Sequence, residues 1–285
     1  MPRPIFSSCP VGTKMWLLDM GTLHIDANFL LAGGHENAGS ASNPNPTHKR
    51  IEMIVYGVLI EHATAGLILF ETGCHDDMEK HWGPMYDVSP RKQYASKNRL
   101  DEQIAMTGHS IKDIRAVIIG HLHADHSGGL MHFLGTDVPI YVHDLELNNA
   151  LWCLFTKADA GPYMPSYLDH RLNWKTFNDS VTELFPGLTM HHCPGHTPGL
   201  CCLQVDLEND GCFFFTGDQF HVKENYTKMI PQVNSMKGLL GRDRNAWFQS
   251  TLYIQRLEVV LGAKIVFGHD YEVFKSLKQA PEYYH

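Results

Sequence analysis

A membrane-spanning segment and a secretory signal are both missing from this sequence of 285 residues. No apolar run approaches the roughly 18 residues that a spanning helix needs. Residues 1–6 also lack the long apolar core of a secretory signal. We therefore expect a cytoplasmic protein that makes no contact with membranes.

Basic residues are scarce as well. The chain has 23 Lys and Arg against 31 Asp and Glu, which gives a formal net charge of −8. Nucleic-acid binding depends on clustered Lys and Arg that neutralise phosphates. The charge balance therefore argues against nucleic acid as the main partner, although it leaves room for a small basic patch.

Paired cysteines are a third absence. The seven cysteines are odd in number and form no Cys-x-x-Cys motif. Zinc ribbons and dithiol redox pairs are excluded for this reason. Most of the cysteines lie among apolar residues, which predicts buried thiols in a reducing compartment.

Hydrophobic residues make up 44% of the chain, which is enough for one large domain or two small ones. We expect a single domain over residues 1–285. Apolar, β-branched runs predict strands at 51–60, 66–70, 116–120, 138–142, 188–192, 200–205, 212–216 and 264–268. Helical spacing predicts helices at 100–107 and 244–262. Strands in both halves with helices between them favour an α/β sandwich.

Three stretches are predicted to be loops, at 33–50, 75–97 and 156–174. The last two carry Tyr and Trp residues among polar ones. Long loops of this kind often have a functional role. Their aromatic side chains either form an apolar substrate pocket or anchor the loops to the core.

Four residues with metal-ligating side chains follow the predicted strand at 116–120. They are His121, His123, Asp125 and His126, in the run His-Leu-His-Ala-Asp-His. His121 and His123 are two residues apart, so in an extended segment both side chains point the same way. Imidazole and carboxylate donors suit zinc, iron, cobalt or manganese. One short segment can therefore supply ligands to two neighbouring ions.

Three further candidate ligands follow strand-like runs later in the chain. They are His196, Asp218 and His269, each directly after a glycine. Glycine lets the backbone turn tightly and approach a metal closely. The threefold recurrence predicts that these residues complete one site with the first four.

The whole pattern resembles the metallo-β-lactamase superfamily of hydrolases, whose fold is an αββα sandwich. The resemblance covers about residues 51–269 and rests on His-x-His-x-Asp-His followed by a His, an Asp and a last His. Segments 120–129, 194–199 and 267–270 are similar to bacterial N-acyl-homoserine lactonases. Residues 71–73, Glu-Thr-Gly, resemble the Asp-Thr-Gly of that group, with Glu in place of Asp.

The resemblance implies a site for two zinc ions, or for another divalent transition metal such as manganese, iron or cobalt. The first ion would take His121, His123 and His196. The second would take Asp125, His126 and His269. Asp218 would bridge the two ions. Relatives of this kind are often homodimers, which the resemblance extends to this chain.

The implied chemistry follows from the pair of metals. Two neighbouring ions can hold a bridging hydroxide, because metal binding brings the pKa of water down towards neutrality. That hydroxide would attack the carbonyl of a small cyclic ester or amide. Asp125 and Asp218 are therefore expected to be catalytic as well as metal-binding.

One departure from the lactonases bears on the substrate. They carry a Tyr three residues after the bridging Asp, where this chain has His221. Imidazole donates a hydrogen bond and, unlike phenol, titrates near pH 7. We expect His221 to orient the carbonyl or protonate the leaving group, or else only to cap a loop. An amine leaving group needs a proton more than an alkoxide does, which favours a lactam, as in fungal relatives that open benzoxazolinone-type rings.

The sequence thus predicts a dinuclear metal-dependent hydrolase that opens a lactone or lactam ring. A lactonase would quench bacterial quorum signals, and a lactamase would detoxify a foreign ring compound. Glyoxalase-II-like thioester hydrolysis is an alternative, weakened because only residues 270–285 follow the last His. A catalytically inactive metal-binding scaffold is a second alternative, opposed by the complete set of ligands.

Overall fold

The computed structural model describes residues 7–34, 39–159, 161–232 and 243–285. The strands of these residues are β1 (Lys14–Asp26), β2 (Arg50–His62), β3 (Gly66–Phe70), β4 (Ile114–Ile118), β5 (Pro139–His143), β6 (Asn173–Phe177), β7 (Val181–Phe185), β8 (Leu188–His192), β9 (Cys201–Leu207), β10 (Gly211–Phe215) and β11 (Lys264–Val266). Their helices are α1 (Ala27–Leu30), α2 (Met78–Trp82), α3 (Pro84–Val88), α4 (Leu100–Met106), α5 (Ala124–Ser127), α6 (Asp144–Thr156), α7 (Lys223–Thr227), α8 (Arg244–Leu261) and α9 (Tyr271–Lys275). None of these helices has the length and apolar character needed to cross a bilayer.

The strands form two sheets, each built from one part of the chain. The first sheet has the order β1-β2-β3-β4-β5-β6, antiparallel from β1 to β3 and parallel from β3 to β6. The second has the order β11-β10-β9-β8-β7, in which β10 and β11 are the parallel pair. The chain passes from the first sheet to the second through residues 178–180.

The main core lies between the two sheets. Side chains alternate along each strand, so Ile68 of β3 packs in one cluster with Phe213 of β10. Its neighbour Leu69 packs on the outer side of the first sheet, with Ile104 of α4. Trp247 of α8 belongs to the cluster that covers the outer side of the second sheet. The layers are therefore helix, sheet, sheet and helix, which confirms the αββα sandwich.

Most of the predicted strands are confirmed, two of them with the same bounds as β3 and β8. The strand predicted at 116–120 ends two residues earlier, as β4, so that Ile119 and Gly120 lead out of the sheet. The strands that the prediction missed are β1, β6 and β7. All three lie at sheet edges, where polar side chains interrupt the apolar pattern. In β1 the register also shifts near Gly21, which has a φ of +85°.

Several short helices, and the longer α6, were also not predicted. The stretch 75–97, predicted to be a loop, contains α2 and α3, each only five residues long and too short to show a helical repeat. Helix α6 was not predicted because its solvent side carries the exposed apolar side chains of Trp152 and Phe155. It ends at Thr156, where the predicted loop 156–174 begins. Part of the predicted loop 33–50, residues 35–38, lies outside the described residues.

Candidate metal centre

The first four predicted ligands lie at the carboxyl end of β4. After Gly120, the chain runs through His121 and His123 and enters α5 at Ala124. Asp125 and His126 therefore lie in the first turn of that helix. The extended-then-helical backbone aims the two pairs of side chains at adjacent positions, as the sequence predicts.

The other three predicted ligands come from the second sheet. His196 lies in the turn between β8 and β9, Asp218 follows β10, and His269 follows β11. Packing explains why a glycine precedes His269. A Cβ at Gly268 would lie 2.5 Å from the carbonyl oxygen of Gly217. Only glycine allows these two loops to approach so closely.

Asp218 lies at the centre of the cluster. Its Oδ1 is 2.8 Å from His269 Nε2 and 3.1 Å from His126 Nε2. Its Oδ2 is 3.1 Å from His196 Nε2 and 3.5 Å from His121 Nε2. Each carboxylate oxygen therefore faces the imidazoles predicted for a different ion.

The two remaining predicted ligands lie one on each side of Asp218. His123 Nδ1 is 3.0 Å from His196 Nε2, and Asp125 Oδ2 is 3.5 Å from His269 Nε2. Two of the four groups of ligand atoms within 4.8 Å of one another match the prediction, namely His121, His123, His196 and Asp218, and Asp125, His126 and His269. The other two groups are Glu71, His121 and His126, and Asp218, His221 and His269. The structure thus brings all seven predicted residues together, and their division between two ions stays a prediction.

The cluster fits metal ions chemically. His121 is fully buried, and neither of its ring nitrogens has a hydrogen-bond partner among the described residues. Buried polar atoms without partners are costly, and a divalent cation would satisfy them. The donors are nitrogen and oxygen without thiolate, a set that suits zinc, manganese, iron or cobalt.

The electrostatics of the cluster favour an ionised carboxylate. Burial by itself would raise the pKa of Asp218, but the neighbouring imidazoles, His269 and His221 foremost, hold it well below its ordinary value. Burial by itself would lower the pKa of His126, but Asp218, Asp125 and Glu71 raise it well above the ordinary value. The negative charge of Asp218 is therefore available to a cation.

The outer nitrogens of two imidazoles are held by partners. His126 Nδ1 lies 3.1 Å from Glu71 Oε2, and His269 Nδ1 lies 2.8 Å from the carbonyl oxygen of Ile54. Such contacts fix the ring and leave Nε2 for the metal. The sequence pointed to Glu71 through the Glu-Thr-Gly motif, but a backbone carbonyl from β2 leaves no signal in a sequence.

The side-chain amide of Gln232 makes a similar contact on the opposite side of the cluster. It is buried, and its nitrogen lies 2.9 Å from His196 Nδ1. Ser127, which lies next to the first ligand run, donates its hydroxyl to the carbonyl oxygen of His121 over 3.2 Å. Gln232 was not found from the sequence. It lies 36 residues after His196, in a segment whose apolar and polar residues form no recognisable motif.

His221 also lies at the cluster. Its Nε2 is 3.1 Å from Asp218 Oδ2, and the residue is 1% exposed. Its ring stacks against Phe29, with 6.0 Å between the ring centroids. Phe29 lines the neighbouring cavity, whereas His221 is not among the described lining residues. The structure therefore places His221 beside the carboxylate, behind the wall of the cavity.

An apolar cavity of about 560 Å³, including its open mouth, lies against the cluster. Its apolar lining is formed by Ile25, Phe29, Met53, Trp82, Met85 and Val88. The two aromatic segments were expected either to form a pocket or to anchor loops to the core, and one segment does each. The 75–97 segment lines the cavity, whereas Tyr167 of the 156–174 segment is buried and donates its hydroxyl to the carbonyl oxygen of Leu122 over 2.8 Å.

A family model described as the metallo-beta-lactamase superfamily matches residues 51–269. The match includes every member of the seven-residue cluster. This chain belongs to the metallo-β-lactamase superfamily. The predicted family and the predicted hydrolase class are thereby confirmed.

Curated members of the superfamily match along nearly the whole chain. The N-acyl homoserine lactonase AiiB of Agrobacterium fabrum is 26% identical over 277 residues, covering 94% of this chain and 97% of that protein. The N-acyl homoserine lactonase AiiA of Bacillus thuringiensis subsp. kurstaki is 30% identical over 277 residues, covering 95% and 98%. The similarity therefore extends beyond the metal-binding motif to the strands and loops around it.

Solved structures of superfamily members share the fold. A crystal structure of a quorum-quenching N-acyl homoserine lactone lactonase has a TM-score of 0.75 and 25% identity, over 98% of this chain and 99% of that one. A structure of an N-acyl homoserine lactone hydrolase with N-hexanoyl-L-homoserine at its catalytic metal centre has a TM-score of 0.77 and 24% identity. The roles of individual residues in this chain stay predictions.

Proposed function

We propose that this chain is a dimetal hydrolase that opens a lactone ring. The observation that carries the proposal is the position of the metal cluster at the apolar cavity, where His123, Asp125, Asp218 and His269 form part of the lining. A ring carbonyl held there would lie against the metal ligands. The names of the nearly full-length relatives, N-acyl homoserine lactonases, support a cyclic ester as the substrate class.

The proposed ligands are divided between two zinc ions. The first ion is assigned His121, His123 and His196, and the second is assigned Asp125, His126 and His269. Asp218 is assigned to both. This division is supported by Asp218, whose Oδ1 and Oδ2 face different imidazoles. Manganese, iron or cobalt would suit the same nitrogen and oxygen donors.

Metal ions held in this cluster would polarise a substrate carbonyl and lower the pKa of water. The protein's own residues would supply geometry and proton transfer. Asp218 keeps the two halves of the ligand set together. The side chain of Asp125 is 14% exposed against 5% for Asp218, and it lines the cavity. We assign Asp125 the acceptance of a proton from the attacking water.

The cavity suits a substrate with a polar ring and an apolar remainder. Trp82, Met85 and Phe29 offer apolar surface to an acyl chain or a flat ring and exclude water from it. The contact of His221 with Asp218 supports a role in the catalytic centre. Proton donation by His221 to a leaving group stays a prediction. The alternative substrate, a lactam such as a benzoxazolinone-type ring, depends on that prediction.

A panel assay on metal-reconstituted protein tests the proposal. Matched substrates are N-hexanoyl homoserine lactone, the corresponding lactam, a benzoxazolinone and a glutathione thioester, each followed by product formation. Opening of the lactone with the highest kcat/KM is the expected result. Preference for the thioester would replace the proposal with the glyoxalase-II-like function. Two bound ions without turnover of any substrate would identify a metal-binding scaffold.

Three further assignments belong to this proposal, namely one domain over residues 1–285, a cytoplasmic location and a homodimer. The core shared by the two sheets supports a single domain. Light scattering during size-exclusion chromatography measures the mass in solution. A mass of one chain would remove the homodimer from the proposal without affecting the catalytic assignment.

A further inference from the structure

Glu146 is a fully buried carboxylate that lies beside the histidines predicted for the first ion. It lies in the first turn of α6, where the helix dipole favours an acidic side chain. Its Oε1 accepts the backbone N–H of Leu122 over 2.9 Å and the hydroxyl of Tyr163 over 3.3 Å. Its Oε2 accepts the hydroxyl of Thr197 over 2.5 Å. Three donors therefore converge on one buried anion.

Each of these donors is a chain neighbour of, or packs against, a histidine predicted to bind the first ion. Leu122 lies between His121 and His123 in the chain, and Thr197 directly follows His196. The ring of Tyr163 packs edge-on against His123, with 5.0 Å between the ring centroids. The hydrogen bonds of this carboxylate therefore reach all three of those histidines through their immediate neighbours.

The ligands of the first ion come from different sheets. His121 and His123 follow β4 of the first sheet, whereas His196 follows β8 of the second. The turn carrying His196 lies directly against α6, because a Cβ at Gly199 would lie 2.1 Å from the backbone nitrogen of Glu146.

We propose that Glu146 is a positioning residue that fixes the spacing of the three histidines of the first ion. The inference rests on the proposed dimetal site. The carboxylate acts through the backbone of Leu122 and the side chain of Thr197, not by touching metal or substrate. Buried groups that orient metal ligands in this way typically change metal affinity about 10–100-fold when they are removed.

A second buried carboxylate provides a matched comparison on the other side of the cluster. Glu71 Oε2 lies 3.1 Å from Nδ1 of His126, a predicted ligand of the second ion. Its Oε1 accepts the backbone N–H of Gly120 over 2.8 Å. Gly120 directly precedes His121, and Glu71 lies close to His121 as well as to His126. Glu71→Gln is therefore expected to weaken the second ion most and the first ion less, whereas Glu146→Gln weakens the first.

Metal titration followed by calorimetry tests the inference, with urea unfolding as a control for folding. Wild-type protein is expected to bind two ions per chain. Glu146→Gln is expected to bind one ion as tightly as wild type and the other about 10–100-fold more weakly. The Glu71→Gln variant should bind one ion much more weakly and the other slightly more weakly than wild type, and the double variant should bind both ions weakly.

Other outcomes separate the two proposals. Wild-type protein that binds fewer than two ions would overturn the dimetal function itself. Two ions bound with wild-type affinity by Glu146→Gln would overturn only the inference, as would one tight ion retained in the double variant. If Glu146→Gln does not fold, Thr197→Val removes a single donor and should weaken the same ion by a smaller factor, and an unchanged titration there would overturn the inference.

Discussion

Asp218 is the one predicted ligand that the proposal assigns to both ions. Its two oxygens face imidazoles from opposite sides of the cluster, at 2.8–3.5 Å. We expect Asp218→Asn to lower metal binding below two ions per chain and to reduce kcat/KM at least about 100-fold, because an amide cannot bridge two cations as a carboxylate does. Elemental analysis and a lactone assay measure both effects. Two retained ions would contradict the bridging role.

His221 allows a second prediction at the level of one residue. If it donates a proton to the leaving group, His221→Ala should slow a lactam substrate more than the matched lactone, by at least about tenfold in the ratio of kcat/KM values. His221→Gln is the control, because it keeps a hydrogen-bond donor but cannot transfer a proton. Equal slowing of both substrates would limit His221 to holding Asp218.

The residues that the sequence could predict share one property. Each of the seven follows an apolar strand-like run, so its position at a strand end was visible along the chain. Glu146 and Gln232 do not directly follow such a run, so the sequence pattern does not indicate them. They reach the cluster from the start of a helix and from a segment without regular structure, and only the fold brings them near the histidines.

At the scale of elements, β8 and β9 are joined to α8 through a buried histidine. His191 Nε2 lies 2.9 Å from Gln204 Oε1, and its Nδ1 lies 2.8 Å from the Tyr253 hydroxyl. Burial lowers the pKa of His191 from 6.5 to about 4, although the bond to Gln204 opposes this shift. The folded protein therefore keeps this imidazole neutral in mildly acidic solution.

The sign of the resulting pH dependence follows from this lowered pKa. Below pH 6.5 the unfolded chain takes up a proton that folded His191 does not take up until about pH 4. The free energy of unfolding should therefore fall as the pH decreases through this range, by roughly 2 kcal/mol between pH 7.5 and pH 5. Urea unfolding of wild type and His191→Gln at both pH values measures the contribution.

The free energy of unfolding of His191→Gln should lack this part of the pH dependence. Any contribution from metal release should be the same in wild type and in the variant. His170→Gln is a matched control, because the side chain of His170 is 94% exposed. A fall of equal size in wild type and His191→Gln would rule out the contribution of His191.

Three of the elements that escaped prediction have different environments on their two sides. Strands β6 and β7 lie at sheet edges and carry mixed residues, so the alternation of apolar and polar positions is weak. Helix α6 exposes Trp152 and Phe155 to solvent, which blurs its apolar face. Central strands such as β3 and β8 were predictable because both of their faces are buried.

At the scale of the whole molecule, the proposed ions would join the two sheets. The first sheet supplies the ligands at 121–126, and the second supplies His196, Asp218 and His269. Ligands that bind only the folded state stabilise it. Removing the metal with a chelator should lower the melting temperature by about 5–10 °C if the free metal is normally about 100-fold above its Kd. Scanning calorimetry measures the shift, and added zinc should reverse it.

An unchanged melting temperature after complete removal of metal would contradict this coupling. The same measurement on Asp218→Asn provides the control. Because that variant is expected to hold fewer ions, its melting temperature should respond less to the chelator than that of wild type.

Among the described strands, the chain passes from one sheet to the other once, at residues 178–180. A break in the chain at this point would leave two pieces, each with a whole sheet and an incomplete set of ligands. Neither piece could hold the proposed pair of ions alone, whereas the two pieces together carry all seven donors. Metal uptake would then report the reunion of the pieces, so the chain offers a natural place to build a two-part sensor whose signal is the capture of a cation.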